Sequence, residues 1–357
     1  MAERGGFDVI IGNPPYVEYS EVKNYRVSGY RTEPCGNLYA FVCERSYRLV
    51  NSSGQFGMIV PMSCISTERM TTLRALWSRN SFDSHISVYS ADAHPSILFN
   101  GVKFRLTILL QGRGTGKMYS TGFLRWFPSY RDVLFATIRY VTVTDELVRL
   151  GLIPKLYADL QQSVNRKMIE GSRVRVGTFI HNDGPISAYA HRIVAHYVKA
   201  FDFIPFFKNQ RDGERKSEDY KVFTVENKGQ RSALCALLNS TAFYIWFVSY
   251  SDVYHCGRDL ILDFPADIAE LSEDDSLLKL NSKLIHDLKA NCVRRKVPYK
   301  KTGLVTYDEF YPRKSKSIID EIDELLAKHY GFTEEELDFI INYDIKYRMG
   351  DELNAEE

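Results

Sequence analysis

Apolar and polar positions come in short blocks along the first hundred residues. Phe7 to Ile11 is an apolar run stopped by Gly12-Asn13-Pro14-Pro15, the pattern of a buried strand that ends abruptly at its carboxyl end. Leu38 to Leu49 spaces its apolar residues as a helix does, and Met70 to Trp77 does the same over a shorter span. Gln55 to Pro61 is a second apolar run closed by proline, and His85 to Tyr89 and Phe104 to Leu110 are rich in strand-forming residues. Strand-like and helical segments taking turns in this way predict an open α/β sheet.

The pattern changes after residue 112. Gly, Ser, Arg and aromatic residues dominate at first, and residues 150 to 265 then mix short strands with helices, predicting a second, α+β unit. Its most apolar stretch, Ser232 to Tyr250, is expected to be one buried helix capped by serine. Beyond Pro265 the chain turns charged and helical. Apolar residues at Ile318, Ile319, Ile322, Leu325 and Leu326 define a helix over Ser317 to Tyr330, with Gly331 in the place of a C-terminal cap. Thr333 and Glu336 have capping-box spacing, and Phe332 and Leu337 are placed as a hydrophobic staple. The expected divisions are therefore residues 1–140, 150–265 and 266–357.

Composition sharpens this only in part. A chain of 357 residues predicts two or three folding units. No apolar run approaches the roughly 18 to 20 residues of a membrane span and no leader pattern is present, so a soluble, cytoplasmic protein without a membrane partner is expected. Six cysteines lie scattered with no C-x-x-C pair, which predicts reduced thiols and no zinc site, and His191 and His196 are five apart, off a common helix face. A net charge of +1 gives no global field toward nucleic acid, so such affinity has to come from local clusters. Aromatic residues at 13% suit a heavy core or stacking surfaces equally.

The chemistry lies in Asn13-Pro14-Pro15-Tyr16. In an open α/β sheet, ligands bind beyond the carboxyl ends of the strands, where this motif falls. Proline following Pro14 pushes it toward an extended conformation, and neither ring nitrogen can donate, so the turn is stiff and rich in acceptors. The Asn13 amide oxygen and the Pro14 carbonyl can each take one proton of an aromatic amine such as the exocyclic nitrogen of adenine. That pair of bonds draws the nitrogen toward tetrahedral geometry and frees its lone pair to attack an electrophilic methyl group without a strong base. Tyr16 offers a face on which a base can stack, worth roughly 1 to 3 kcal/mol. An ordinary Asn-Pro loop at a strand end is the competing reading.

FDVIIGNPPY, then NLYAFVCERSYRL, QFGMIVPMS and ILFNGVKFRLTILL, in this order and at these distances, resemble the second half of the catalytic domain of gamma-class adenine-specific DNA methyltransferases, as in type IIG restriction-modification enzymes. The likeness covers residues 5 to about 140. Residues 150–265 resemble that family's target-recognition domain loosely, and IDELLAKHYGFTEEELDFII looks like its usual ending. The resemblance implies a partial Rossmann-like sheet followed by an α+β recognition domain and a C-terminal helical segment. It implies a target adenine flipped from double-stranded DNA, held by Asn13 and Pro14 and sandwiched between Tyr16 and a second aromatic, matched here by Phe99. A core role for Phe99 competes with that assignment.

The family binds S-adenosylmethionine through a glycine-rich turn upstream of its Asn-Pro-Pro-Tyr, and this sequence contains neither F-x-G-x-G nor G-x-G-x-x-G. GRGTGKM at 112–118 has the wrong spacing for a phosphate loop and is expected to be a glycine hairpin turn. The expected arrangement is the catalytic and specificity half of a larger or split enzyme, its cofactor half on another segment or subunit, and inactive alone. A non-catalytic DNA-specificity fragment and the product of a truncated reading frame are the alternatives. For DNA contacts, Lys208, Asn209, Gln210 and Arg211 with Arg215, Lys216 and Lys221 form a polar, basic loop whose Asn, Gln and Arg are base-reading types. Interleaved acidic residues fit a solvated hairpin as well. Arg294, Arg295 and Lys296 with Lys300 and Lys301 form a cleaner cluster, suited to phosphates or to a solvated loop.

Overall fold

A computed structural model describes residues 5–77, 82–91, 98–99 and 104–350. The fold is α/β, and the chain divides into two compact units, one of Met1–Gln162 with Val248–Asp252, the other of Ser163–Phe247 with Val253–Glu357.

The first unit is built on a six-stranded mixed sheet: β1 (Phe7–Gly12), β2 (Val50–Pro61), β3 (Phe82–Tyr89), β4 (Leu106–Arg113), β5 (Met118–Leu124) and β6 (Val141–Val143), in the spatial order β1-β2-β4-β3-β5-β6. β1 runs parallel to β2, β4 lies antiparallel between β2 and β3, and β5 is parallel to β3. The helix Leu38–Leu49 joins β1 to β2, its first turn capped by the Asn37 side chain. On one face of β2, Phe56, Met58 and Val60 are buried, and Tyr47 of that helix meets Phe56 with ring centroids 5.3 Å apart.

The opposite face is open. Ile11, Gly57, Leu110, His85 and Tyr119 form one cross-strand row over five strands. Ile11 is 82% exposed and Leu110 48%, and with only glycine between them the sheet dips into a hollow of about 390 Å³. β1 is an edge strand, and Phe7 and Val9 on it are also exposed.

The GRGTGKM segment is not a hairpin turn. β4 and β5 are not partners, because β3 lies between them, and residues 114–117 pass over the end of β3. The Asp83 carboxylate holds that crossing by accepting the backbone N–H groups of Thr115 (2.8 Å) and Lys117 (2.9 Å). A Cβ on residue 114 would sit 2.2 Å from the Asp83 Cγ, so the close approach needs glycine there. Deeper in this unit, the fully buried Lys155 ammonium donates to the carbonyls of Ser249 (2.9 Å) and Ser251 (2.8 Å). Burial draws its pKa down to about 7.

The second unit holds two small sheets among helices. One has the order β11-β7-β8, from β7 (Ile186–His191), β8 (Ala200–Phe201) and β11 (Tyr220–Val225). The other has the order β10-β9-β13-β12, from β9 (Phe207–Asn209), β10 (Gly213–Glu214), β12 (Val293–Tyr299) and β13 (Gly303–Glu309). The stretch 266–357 is thus not helical throughout: its hairpin β12–β13 pairs with β9, which joins it to the middle of the chain. Ser232–Tyr250 is likewise two helices, Lys228–Asn239 and Thr241–Tyr250, bent by 63° and not one span capped by serine. Asn227 caps the first, accepting from Gln230 N. The buried Asp323 carboxylate starts the second by accepting from Thr241 N (2.9 Å) and Ala242 N (3.0 Å). Among the described residues no single helix is long and apolar enough to cross a membrane. Gly331 takes the left-handed conformation at the end of Lys316–Tyr330, and the Thr333–Glu336 capping box is formed, as their spacing predicts.

Candidate active site and nucleic-acid surface

Asn13-Pro14-Pro15-Tyr16 follows β1 directly, so its side chains sit at the carboxyl end of a parallel strand. Pro14 is buried and fixes the turn, whereas Asn13 and Pro15 are exposed. The Tyr16 hydroxyl lies 2.8 Å from Asn13 Oδ1 and 3.0 Å from the Ile59 carbonyl at the end of the neighbouring β2. One hydroxyl proton serves two acceptors there, so neither bond is at full strength and Asn13 Oδ1 keeps a lone pair for another donor. Burial, with smaller contributions from the nearby Cys64 and Cys43, pushes the Tyr16 pKa up to about 12, so the phenol stays neutral and a donor.

Two rings meet Tyr16 edge-on, Phe104 with centroids 5.9 Å apart and Tyr39 at 6.4 Å, and Tyr39 is anchored through Ser63 (3.0 Å). Tyr16 also packs on a buried cluster of Tyr89, Leu98, Leu106, Trp126 and Leu134. Phe99 adjoins that cluster through Leu98, but its own side chain is exposed and makes no ring contact with Tyr16. The competing core reading of Phe99 is thereby corrected, since a ring 38% exposed fills no core. The nearer of the two rings beside Tyr16 is Phe104, which its position made look like the first residue of a strand. That strand begins at Leu106. Asn100 to Lys103 lie outside the described residues. The segment after the motif is clamped from both sides: Glu18 pairs with Arg69 through two bonds (2.7 and 3.0 Å), and the buried Glu44 carboxylate accepts from the backbone of Arg31 and Thr32.

In the second unit the two basic stretches converge. Lys296 on β12, Thr306 on β13 and Lys208 on β9 are opposite one another in register, one row across three strands, with Arg294 two positions from Lys296 on the same face. Neither Lys208 nor Lys296 is ion-paired among the described residues. The arginines are engaged: Arg294 with Asp308 (2.8 and 3.1 Å), Arg295 with Glu309 (2.7 Å), Arg211 with Asp212 (2.8 and 2.9 Å) and Arg215 with Glu218 (3.1 Å). Exposed pairs of this kind are weakly held in water, so a phosphate can take the place of the carboxylate. Lys216, Lys300 and Lys301 are exposed, and Lys221 lies on β11 in the other sheet.

Asn209 needs correction as a base reader. It is 1% exposed, and its side chain is spent on the turn, accepting from Asp212 N (2.6 Å) and donating to Asp212 Oδ2 (3.0 Å). Gln210 is partly spent too, since its Oε1 accepts from Leu304 N at 3.2 Å.

The family described as Eco57I restriction-modification methylase matches residues 1–93. No curated protein matches the chain. Solved structures similar to it include the type IIL restriction-modification enzyme MmeI in complex with DNA (10% identity, TM-score 0.48, covering 95% of this chain and 57% of that one). They also include the DrdV–DNA complex (11%, 0.36, 97% and 54%). A third is a nuclease-deletion mutant of the type ISP enzyme LlaGI with a DNA substrate mimic (10%, 0.41, 85% and 39%). The chain spans about half the length of the first two structures and less of the third. The family match relates the region of β1, β2 and the Asn-Pro-Pro-Tyr turn to the methylases of restriction-modification systems.

Proposed function

We propose that the chain is the amine-activating and DNA-binding part of an adenine-specific DNA methyltransferase of a restriction-modification system. The observation that carries this reading is the Asn13–Tyr16 turn at the end of β1, with an exposed amide acceptor braced by a neutral tyrosine. An adenine amine arriving there would give one proton to Asn13 Oδ1, in exchange for the shared tyrosine bond, and the other to the Pro14 carbonyl. The turn is stiff enough to hold both acceptors in place, which is where positioning contributes to rate. Tyr16 would then supply an aromatic surface for the base, and the Lys208–Lys296 row a contact for DNA phosphates.

S-adenosylmethionine would supply the methyl group. The residues here do not fit a site for it, because neither F-x-G-x-G nor G-x-G-x-x-G occurs in the sequence and, among the described residues, no strand lies beyond β1 and the apolar face beside it is open. We assign the cofactor to a separate α/β segment, on another part of the polypeptide or another subunit, that adds a strand along β1 and covers Val9, Ile11 and Leu110. Parallel strands are normally buried on both faces, and β1 is not.

With that segment supplied, Asn13→Ala is expected to abolish methyl transfer while duplex binding changes little. Retention of more than about a tenth of kcat, a loss under roughly 1.4 kcal/mol, contradicts the role. A second reading, a DNA-binding module without catalysis, is favoured by the Lys208–Lys296 row. It requires DNA binding by the chain and no transfer by the wild type under the same conditions.

A further inference from the structure

The second unit contains a cavity of about 510 Å³ walled by its two sheets, within the size range of small-ligand sites. One wall is a cross-strand row. Tyr220 on β11 is paired with His191 on β7, and His191 N donates to Lys199 O at the start of β8, so Tyr220, His191 and Lys199 stand side by side. Tyr307 and Phe207, opposite each other on β13 and β9, supply aromatic lining from the other wall.

The row keeps polar groups open to the cavity. His191 Nδ1 lies 2.7 Å from the Ile193 carbonyl, which can only accept, so that nitrogen carries the proton and Nε2 is left as an acceptor. Burial, then the neighbouring Lys199, draws the His191 pKa down to about 4, so the ring is neutral at pH 7. Neither the Tyr220 hydroxyl nor the Lys199 amine has a hydrogen-bond partner among the described residues. The acids of the cavity have theirs: Asp219 with Arg192 (2.9 Å), Asp308 with Arg294 (2.8 Å) and Glu309 with Arg295 (2.7 Å). Each carboxylate is thus paired with its own arginine, whereas Lys199, whose pKa burial draws down and the nearby Glu309 only partly restores, has no hydrogen-bonded counter-ion among the described residues. An anion placed there would favour the protonated amine, and that cation with a phenol donor, facing aromatic walls, suits an anion attached to a flat ring.

We propose that this cavity binds a nucleoside monophosphate unit, its phosphate on Lys199 and Tyr220 and its base against Tyr307 and Phe207. The unit is either a free mononucleotide or an unstacked nucleotide of a DNA strand. The site is separate from the Asn13–Tyr16 turn and does not depend on the reading given to that turn.

Calorimetric titration of the full chain with deoxyadenosine 5′-monophosphate tests this. Binding below about 1 mM is expected, with deoxyadenosine and inorganic phosphate each at least about tenfold weaker, the equivalent of roughly 1.4 kcal/mol. Lys199→Met should weaken the nucleotide about tenfold or more while Lys199→Arg retains most of it, and circular dichroism should show both folded. If Lys199→Met does not fold, Tyr307→Leu, which removes ring area alone, should give the loss instead. Absence of binding at millimolar nucleotide, equal affinity for deoxyadenosine, or full affinity in folded Lys199→Met overturns the proposal. Displacement by a single-stranded oligonucleotide but not by a duplex identifies DNA as the source. Displacement by mononucleotides only identifies a free ligand.

Discussion

Two strands end their sheets in opposite ways. β1, FDVIIG, is the edge of the six-stranded sheet, and its one charged residue, Asp8, is tied to Asn51 at 2.7 Å. β12, VRRKVPY, is the edge of the four-stranded sheet, and it carries two arginines, a lysine and Pro298. Charge and proline on an edge discourage pairing with another chain, and their absence invites it. β12 is therefore finished as a surface strand, whereas β1 has the composition of an interior strand at an exterior position. The difference separates a strand whose composition suits solvent from one whose composition suits burial against another strand.

The largest effect expected concerns β1. Val9→Lys with Ile11→Lys should leave the chain folded, since exposed substitutions rarely shift stability by more than about 0.5 kcal/mol. Association with a complementing cofactor segment should fall about 100-fold, roughly 2.7 kcal/mol, as measured by titration. Unchanged association would remove β1 as the docking edge. Next, Gly54→Ala should cost about 1–3 kcal/mol, because its Cβ would lie 2.8 Å from the Phe7 carbonyl oxygen and 2.9 Å from that of Asp8. Hydrogen exchange should speed up in residues 7–12 and stay constant in β12, and uniform acceleration would show that β1 is not held separately. Smaller again, Arg295→Val with Lys296→Val should turn β12 into a second unprotected edge. Light scattering should then report concentration-dependent self-association, and a monodisperse variant would mean that charge is not what blunts this edge.

The smallest effect is with pH. Burial alone would raise the Glu309 carboxyl, but hydrogen bonds from Tyr311 and Arg295 outweigh it and hold the group below its usual range. A depressed carboxylate contributes stability above its unfolded pKa of about 4.3 and loses it as pH falls through the folded value. The β12–β13 hairpin should loosen in acid before β1 does, and Glu309→Gln should flatten that response in exchange measurements. Equal acid sensitivity in Glu309→Gln would assign it elsewhere.

The same contrast explains what could be read from the sequence. β1 was legible because an apolar run ending in Asn-Pro-Pro needs no tertiary information, and the helix Leu38–Leu49 was legible to the residue because its apolar spacing and Asn37 cap agree. β12 was hidden. A strand exposed on nearly every residue has no apolar alternation to reveal a period of two, and Arg-Arg-Lys reads as loop. At the site, residue types pointed to Asn13 and Tyr16, but the Ile59 carbonyl that shares the tyrosine proton comes from a backbone 43 positions away and leaves no trace in composition. Asn209 misled for the converse reason: the sequence shows a side chain that can read a base, not that the turn at Asp212 has used it up.

Lys155 gives the chain a timetable. The first unit includes Val248–Asp252, and the buried amine of Lys155 finds its acceptors on Ser249 and Ser251. During synthesis, the ribosome has about 90 further residues to make after Gln162 before those carbonyls exist, roughly 5 to 18 seconds at ordinary elongation rates. For that interval the nascent first unit holds a lysine it cannot yet bury, and any messenger cut short before codon 249 leaves it so permanently.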